Sequence, residues 1–422
     1  MNKIITLSIL LFLGINANAQ ETVTVAVGPS YANQTYYSLS DNSTNSIDNE
    51  SWDIAFLLGE EDGGILLNES ADASFSGPAP ELKLYITYVE DFNSVIDETL
   101  LTDTLYNDEA DWQKGAFNSI AQENDPDDYG WGAYNASTAA IEGIWVYAIK
   151  LRNGKWQKIK IESLENGIYT MKYADLDGAN EATITINKTD YDSPMAFFSF
   201  STEAVTASPT GWDIVFERYL AALYSTGDVI YYPTTGALTA PGIEVAQVDN
   251  VVPADTEYAD HTDSLDTAND VIGFDWKFFD LGGFQWVVET ERVYFLKMPN
   301  NQVYKLNFTA FGGSSSGSMT FEKEDLGIIT TVSNPQSNFK EVAVFPNPVA
   351  TNFAITFTLK EARNDLHIRL INALGQTVWN TKADGHQGFN ALNIQSPAVA
   401  AGYYQLIVGK NGDFWSSGII IE

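Results

Sequence analysis

The segment Ser51-Trp52-Asp53-Ile54-Ala55-Phe56 is rewritten as Gly211-Trp212-Asp213-Ile214-Val215-Phe216, and a short aromatic stretch precedes each copy, Tyr36-Tyr37-Ser38-Leu39-Ser40 and Phe197-Phe198-Ser199-Phe200-Ser201. Alternation places Trp52, Ile54 and Phe56 on one face of a strand and Asp53 and Ala55 on the other; Trp212, Ile214 and Phe216 repeat this around Asp213. Both segments are predicted to be half-buried strands. A second correspondence lies downstream. Residues 145–161 carry Asn153-Gly154, whose tolerance of positive φ suits a type I′ hairpin turn. Residues 292–308 follow in register, with Val293-Tyr294 answering Val146-Tyr147, Lys297 answering Lys150 and Lys305 answering Lys158, around a different turn at Pro299-Asn300-Asn301. The chain therefore reads as one β-rich unit written twice, at 20–180 and 181–327, and as all-β throughout. The sequence leaves open whether the copies form two domains or pair into one larger structure. Helix signals are confined to 108–124.

What flanks the copies sets the compartment. Lys3, the apolar run Ile4 to Leu13 and Ala17-Asn18-Ala19 have the form of a secretory signal peptide over 1–19, with the mature chain expected to begin near Gln20. No later apolar run approaches the ~18 residues of a membrane span. The 422 residues include no cysteine, so disulfides, zinc-thiolate sites and cysteine nucleophiles are excluded. The formal charge of −34 lies upstream of residue 342, because from there on five Lys/Arg balance five Asp/Glu. Such a field repels nucleic acid and anionic lipid, which argues against both as partners.

A polar linker is expected at 328–341, followed over 342–422 by short alternating strands that predict a small Ig-like β-sandwich. Pro346-Asn347-Pro348, Leu374-Gly375-Gln376 and Gly402-Tyr403-Tyr404 stand in this unit at the spacing of a known signal. The unit resembles the C-terminal type A sorting domain of the type IX secretion system. The resemblance implies that Pro346, Asn347, Pro348, Gly375, Gly402 and Tyr403 belong to the sorting signal, that residues 342–422 engage the secretion machinery, and that the protein is secreted or held on the outer cell surface.

Upstream, Trp212-Asp213-Ile214 with Phe216 and Arg218-Tyr219, then Gly273-Phe274-Asp275-Trp276-Lys277, Tyr294 through Lys297, Tyr304-Lys305 and Phe311-Gly312-Gly313 form a spaced aromatic pattern. This pattern is similar to the HmuY family of exported haem-binding proteins, most fully over 195–327 and more loosely over 30–175. The resemblance implies an all-β scaffold with an open thumb-and-finger groove, haem as cofactor, and paired His or Met as iron ligands.

The residues themselves name no ligand. Of three histidines, His367 and His386 lie in the sorting unit, and His261 sits in an acidic loop where a lone histidine is more often solvated. Met298 precedes a hairpin turn, and methionines on strands mostly fill cores. Trp131, between Gly130 and Gly132, is expected in a loop where an exposed ring can stack on a sugar or a porphyrin, although such a ring more often serves structural packing. His261, Met298 and Trp131 are the ligand-binding candidates. The Gly313-Ser314-Ser315-Ser316-Gly317 match to a nucleophile elbow lacks the strand-turn-helix context and reads as a flexible loop. The acids at 125–128 and 175–177 complete no calcium loop and read as turn residues. The expected function is that of an exported, non-enzymatic binding protein delivered by the type IX secretion system, with haem as the ligand that the HmuY resemblance implies. The alternative is a carbohydrate-binding or adhesive surface protein.

Overall fold

A computed structural model describes residues 20–60, 62–70, 82–225, 228–329, 339–372, 376–410 and 413–422. Residues 1–19, expected to be a signal peptide, most of the linker and Gly375 lie outside the described residues. The chain divides into two compact units, Met1–Ile329 and Thr330–Glu422. Among the described residues the α-helical content is one turn, Gly313–Ser316. The helix expected over 108–124 is reduced to a 3-10 turn at Ala116–Asn118. The carboxylates of Asp108 and Asp111 accept the backbone N–H of Ala110 and Gln113, a local pairing that competes with a helical ladder.

The first unit contains the duplication, arranged in a way that the linear order conceals. One half is contiguous. Its large sheet runs in the order Ala182–Asn187, Ile168–Ala174, Trp156–Glu165, Val146–Lys150, Lys83–Val89, and its small sheet in the order Ala204–Ala207, Met195–Ser199, Ile54–Leu57, Ile65–Leu67. The other half repeats both orders. Its large sheet is Glu21–Ala26, Ser318–Ile328, Gln302–Phe311, Arg292–Lys297, Glu244–Asp249, and its small sheet is Thr44–Asp48, Asn33–Tyr37, Ile214–Ser225, Asp228–Thr239. This second half draws three strands from the N-terminus and the rest from beyond residue 213, so the first half lies inside it in sequence. The folding halves are therefore offset from the copies read at 20–180 and 181–327. Each aromatic strand pairs across the offset: Phe197 lies opposite Ala55, and Tyr36 opposite Val215.

This exchange explains why the Trp-Asp-Ile sequence recurs. Asp53 accepts the backbone N–H of Phe200 at 2.7 Å, and Asp213 accepts that of Leu39 at 2.7 Å, so each carboxylate fastens the end of the aromatic strand arriving from elsewhere. Ile54 and Phe56 enter the core of the first half, Ile214 and Phe216 that of the second. The tryptophans do not share that face, because regular strand begins only at Ile54 and Ile214. Trp52 and Trp212 join Ala55, Val215, Tyr36 and Phe197 in a third cluster that fuses the two halves. There Trp52 stacks on Phe197 at 4.5 Å and Trp212 meets Tyr36 edge-on at 5.2 Å.

The second unit is the expected sandwich. A three-stranded sheet (Phe339–Phe345, Asn352–Leu359, Gly388–Gln395) and a four-stranded one (Thr377–Gly385, Arg363–Ile371, Gly402–Lys410, Asp413–Ile421) enclose Phe353, Ile355, Phe357, Ile368, Leu406 and Ile419.

Candidate functional site

The segment after Trp276 forms a hairpin, Lys277–Asp280 with Gln285–Val288, which pairs only with itself. Its turn is tied by the Asp280 carboxylate, which accepts the N–H groups of Gly282 and Gly283 at 2.8 Å. Facing it is the long two-stranded arm Ile214–Ser225 and Asp228–Thr239. Between hairpin and arm opens a groove of about 740 Å³, lined by Tyr31, Arg218, Tyr232, Phe274, Lys277, Phe278, Phe279, Phe284, Trp286, Phe311 and a few small residues. Its aromatic wall is continuous. Phe284 meets Phe279 at 5.5 Å, Phe279 meets Trp286 at 5.4 Å, Trp286 meets Phe311 at 4.9 Å, and Phe311 stacks on Tyr31 at 6.2 Å. Gly313 makes this wall possible: its φ is +60°, and a Cβ there would stand 3.1 Å from the Trp286 indole nitrogen.

The charge of the groove runs against that of the chain. Among the described residues no carboxylate lines it, although the formal charge is −34, while Arg218 and Lys277 do. Lys277 is 5% exposed; its Nζ donates to the Thr235 and Phe274 carbonyls and lies 4.3 Å from the Trp276 ring centre and 4.7 Å from that of Phe311. Burial pushes its amine down to about 7. The two carbonyls and the ring faces act in the opposite sense and favour the ammonium. The same arm borders a second groove through Ala222, Tyr224 and Tyr231, and that one is acidic, with Asp108, Glu109, Asp125, Asp128 and Asp270 on its wall. At the junction of the halves, Glu217 is buried and accepts from Gln34 Nε2 at 2.7 Å and Ser70 Oγ at 3.4 Å, and burial raises its carboxyl to about 7.

The residues singled out from sequence are scattered. Trp131 is a correction: its ring is fully buried in the first-half core and its N–H bonds the Gly63 carbonyl at 3.0 Å. The flanking glycines, which suggested a loop, let the segment sink inward. His261 is half-buried and stacks on Phe295 at 5.9 Å, on one face of the second-half sheet. Met298 packs with Tyr294 and Leu296 on the other face. The structure does not bring His261, Met298 and Trp131 together, and none of them lines the aromatic groove. Ser315 donates to the Gly312 carbonyl at 2.9 Å from within the single helical turn, a packing element of the groove wall and not a loop.

The sorting residues do converge. Asn347 donates to the Gly418 carbonyl at 3.1 Å and accepts from the Ile420 N–H at 2.8 Å, so Pro346-Asn347-Pro348 clips the last strand. Gly402 pairs with Ile421 on that strand, and the Tyr403 ring covers Gly418, where a Cβ would come within 2.4 Å of its hydroxyl.

Arg218, Phe274, Lys277 and Phe311 belong to the motifs quoted for the HmuY resemblance, yet nothing in their spacing marked them as one site. Phe278, Phe279, Phe284 and Trp286 were missed. Their signal was adjacent aromatics on both faces of a short hairpin, which a half-buried strand would not carry.

Comparison with known proteins matches two segments of the chain. Residues 343–422 match the secretion system C-terminal sorting domain, and residues 30–177 match the HmuY protein family. The HmuY match thus falls on the first half and the N-terminal strands, not on 195–327 where the quoted pattern is fullest. No curated protein matches the chain. Among solved structures, dimeric latent PorU from Porphyromonas gingivalis is similar at 9% identity with a TM-score of 0.17, over 67% of this chain and 32% of that one. The chain spans about a third of that protein's length, and at that score the likeness does not bear on the fold.

Proposed function

From a chain that carries a HmuY-family segment over 30–177 and a secretion-system sorting domain over 343–422, and is therefore exported to the cell surface or beyond it, we propose a non-enzymatic binding protein whose aromatic groove holds a planar, apolar, anionic ligand of the porphyrin class. The observation that carries this reading is the groove itself: about 740 Å³ walled by aromatic rings, with Arg218 and Lys277 the charged groups among its described lining residues. Ring faces offer stacking to a flat ligand, and the two cations match peripheral carboxylates in a site otherwise poor in polar partners. The haem implied by the family resemblance has both properties. In this reading the type IX machinery engages residues 342–422 after the signal peptide has taken the chain across the inner membrane.

Titrating the mature protein with haemin tests the binding. A shifted Soret band with quenching of tryptophan fluorescence, both lost in Trp286→Ala, is the expected result. No spectral change, with binding to a glycan array instead, would move the function to carbohydrate recognition. Fractionating cells that express the chain without 342–422 tests delivery; retention in the periplasm is expected, and normal arrival outside would overturn it.

A further inference from the structure

We propose that this groove recognises its tetrapyrrole by the ring and its carboxylates and not by the metal, so that metal-free and iron-loaded porphyrins bind alike. The inference rests on the reading of the groove as a porphyrin site. It follows from which donors the groove lacks. Iron in a porphyrin is held most firmly by His, Met or Cys. The chain has no cysteine, and among the described residues no histidine or methionine lines the groove. His367 and His386 belong to the second unit, and His261 stacks on Phe295 across the sheet from the core. Met171, Met195 and Met319 are buried, Met298 packs into the second-half core, and Met1 lies outside the described residues.

What remains is oxygen. Of the two groove tyrosines, Tyr31 is 7% exposed and lies flat against Phe311, and burial raises its hydroxyl above the ordinary tyrosine range, which keeps it a neutral phenol and a poor ligand. Tyr232 is exposed on the arm and is the one oxygen donor with freedom to reach a metal. Against this poverty of ligands stand groups suited to the rest of the molecule. The chain of rings from Phe284 to Phe311 presents faces and edges to a macrocycle. Arg218 and Lys277 are the cationic residues among the described lining of a chain that is strongly negative, and they are the groups there suited to a ligand carboxylate.

The experiment compares haemin, zinc protoporphyrin, protoporphyrin IX and its dimethyl ester by fluorescence quenching on the full mature chain, alongside Arg218→Gln and Tyr232→Phe. The three free acids are expected to agree within about threefold. The ester is expected to bind at least about tenfold more weakly, and Arg218→Gln to narrow that gap. Haemin binding tenfold or more tighter than protoporphyrin IX, with a six-coordinate low-spin spectrum, would overturn the inference while leaving the porphyrin reading intact. So would a tyrosinate-ligated spectrum abolished in Tyr232→Phe. An ester as tight as the acid would overturn the role of the carboxylates. Failure of all four to bind would bring down the porphyrin reading itself.

Discussion

Trp131 and Trp276 hold the same place in the two halves. Each is fully buried at the centre of its core, each is followed at once by a two-stranded hairpin, and each accepts a 2.9 Å backbone bond where that hairpin returns, from Ile144 in one case and Glu289 in the other. The hairpins then part company. In the first half Ala140–Gly143 pairs with Trp156–Glu165 and extends the large sheet. In the second half the hairpin pairs with nothing else and leaves the groove beneath it. The cause is local. A Cβ on Gly132 would meet the Glu142 carbonyl of its own hairpin at 2.5 Å, and one on Gly143 would meet the Ile161 carbonyl of the large sheet at 1.6 Å, so the first hairpin closes tightly on itself at Gly132 and docks flush at Gly143. Lys277 and Val288 stand at the corresponding places and forbid that approach. A duplicated scaffold has thus been closed in one copy and opened in the other by the residues on either side of a tryptophan.

The fastening of the aromatic strands also differs, and it gives the largest predicted effect. Asp53 pairs with Arg152 at 2.7 Å, with both side chains about 90% buried, whereas Asp213 is less buried and has no such partner in contact among the described residues. Asp53→Ala leaves the buried Arg152 guanidinium without its counter-charge, held by the carbonyls of Asn49, Trp52, Asn68 and Ser70 alone, and is expected to cost about 3 kcal/mol. Asp213→Ala forfeits a charge-assisted bond to Leu39 and is expected to cost about 2 kcal/mol. Denaturant melts of the two variants compare them. Equal losses would show that the first half owes no extra rigidity to the ion pair.

Of comparable size is the effect of the glycine that closes the first hairpin. Gly143→Ala should cost about 3 kcal/mol and expose the amides of Ala140–Gly143 to hydrogen exchange, because the backbone must retreat from Ile161. Val288→Ala, at the corresponding place in the open hairpin, should cost about 1 kcal/mol. If Gly143→Ala retains protection at Glu142, the account of closure by close backbone approach is wrong.

The junction and the groove carry opposite titrations. Glu217 has a carboxyl raised to about 7 by burial, so the folded chain keeps a proton that the unfolded chain releases near 4.5; the stabilisation is full below that value and is lost as pH rises through 7. Lys277 is lowered to about 7 by burial, so its contribution is full above 10.5 and is lost as pH falls toward 7. Stability measured by thermal melts is expected to decline from pH 4.5 to 7, by ~2 kcal/mol for Glu217, and to recover on the alkaline side. Glu217→Gln should shrink the first limb, leaving the part carried by Glu69, whose carboxyl burial raises to about 8, and Lys277→Met should flatten the second. A Lys277→Met protein with an unchanged alkaline limb would mean that the carbonyls and rings around Lys277 hold it charged throughout.

Much of this was legible in the sequence. The Trp-Asp-Ile copies, the lysine-bearing hairpins and the C-terminal sandwich all follow from periods and turns that neighbouring residues impose. The permuted assembly was not, because alternation says which face a strand buries and nothing about which distant strand it pairs with: Tyr36 sits sixteen residues before Trp52 yet pairs with Val215. The site was hidden for the same reason. Trp131 between two glycines looks more exposed than Trp276, and its burial becomes readable only when the opposing carbonyls of Glu142 and Ile161 are known.

The smallest expected change in stability makes the sharpest test of what the open hairpin is for. Tyr134 and Phe279 are each the third residue after the central tryptophan, and they are similarly exposed, at 42% and 38%. Replacing either with serine removes a ring from solvent-facing hairpin surface and is expected to cost no more than about 0.5 kcal/mol. Phe279, however, bridges Phe284 and Trp286 in the groove wall, whereas Tyr134 lies on a hairpin already absorbed into its sheet. Phe279→Ser should therefore weaken porphyrin binding by about tenfold, the order of a lost aromatic stacking contact, with melting unchanged. Tyr134→Ser should alter neither. If the two variants bind alike, the aromatic wall is decoration, and the difference between the hairpins has no bearing on the ligand.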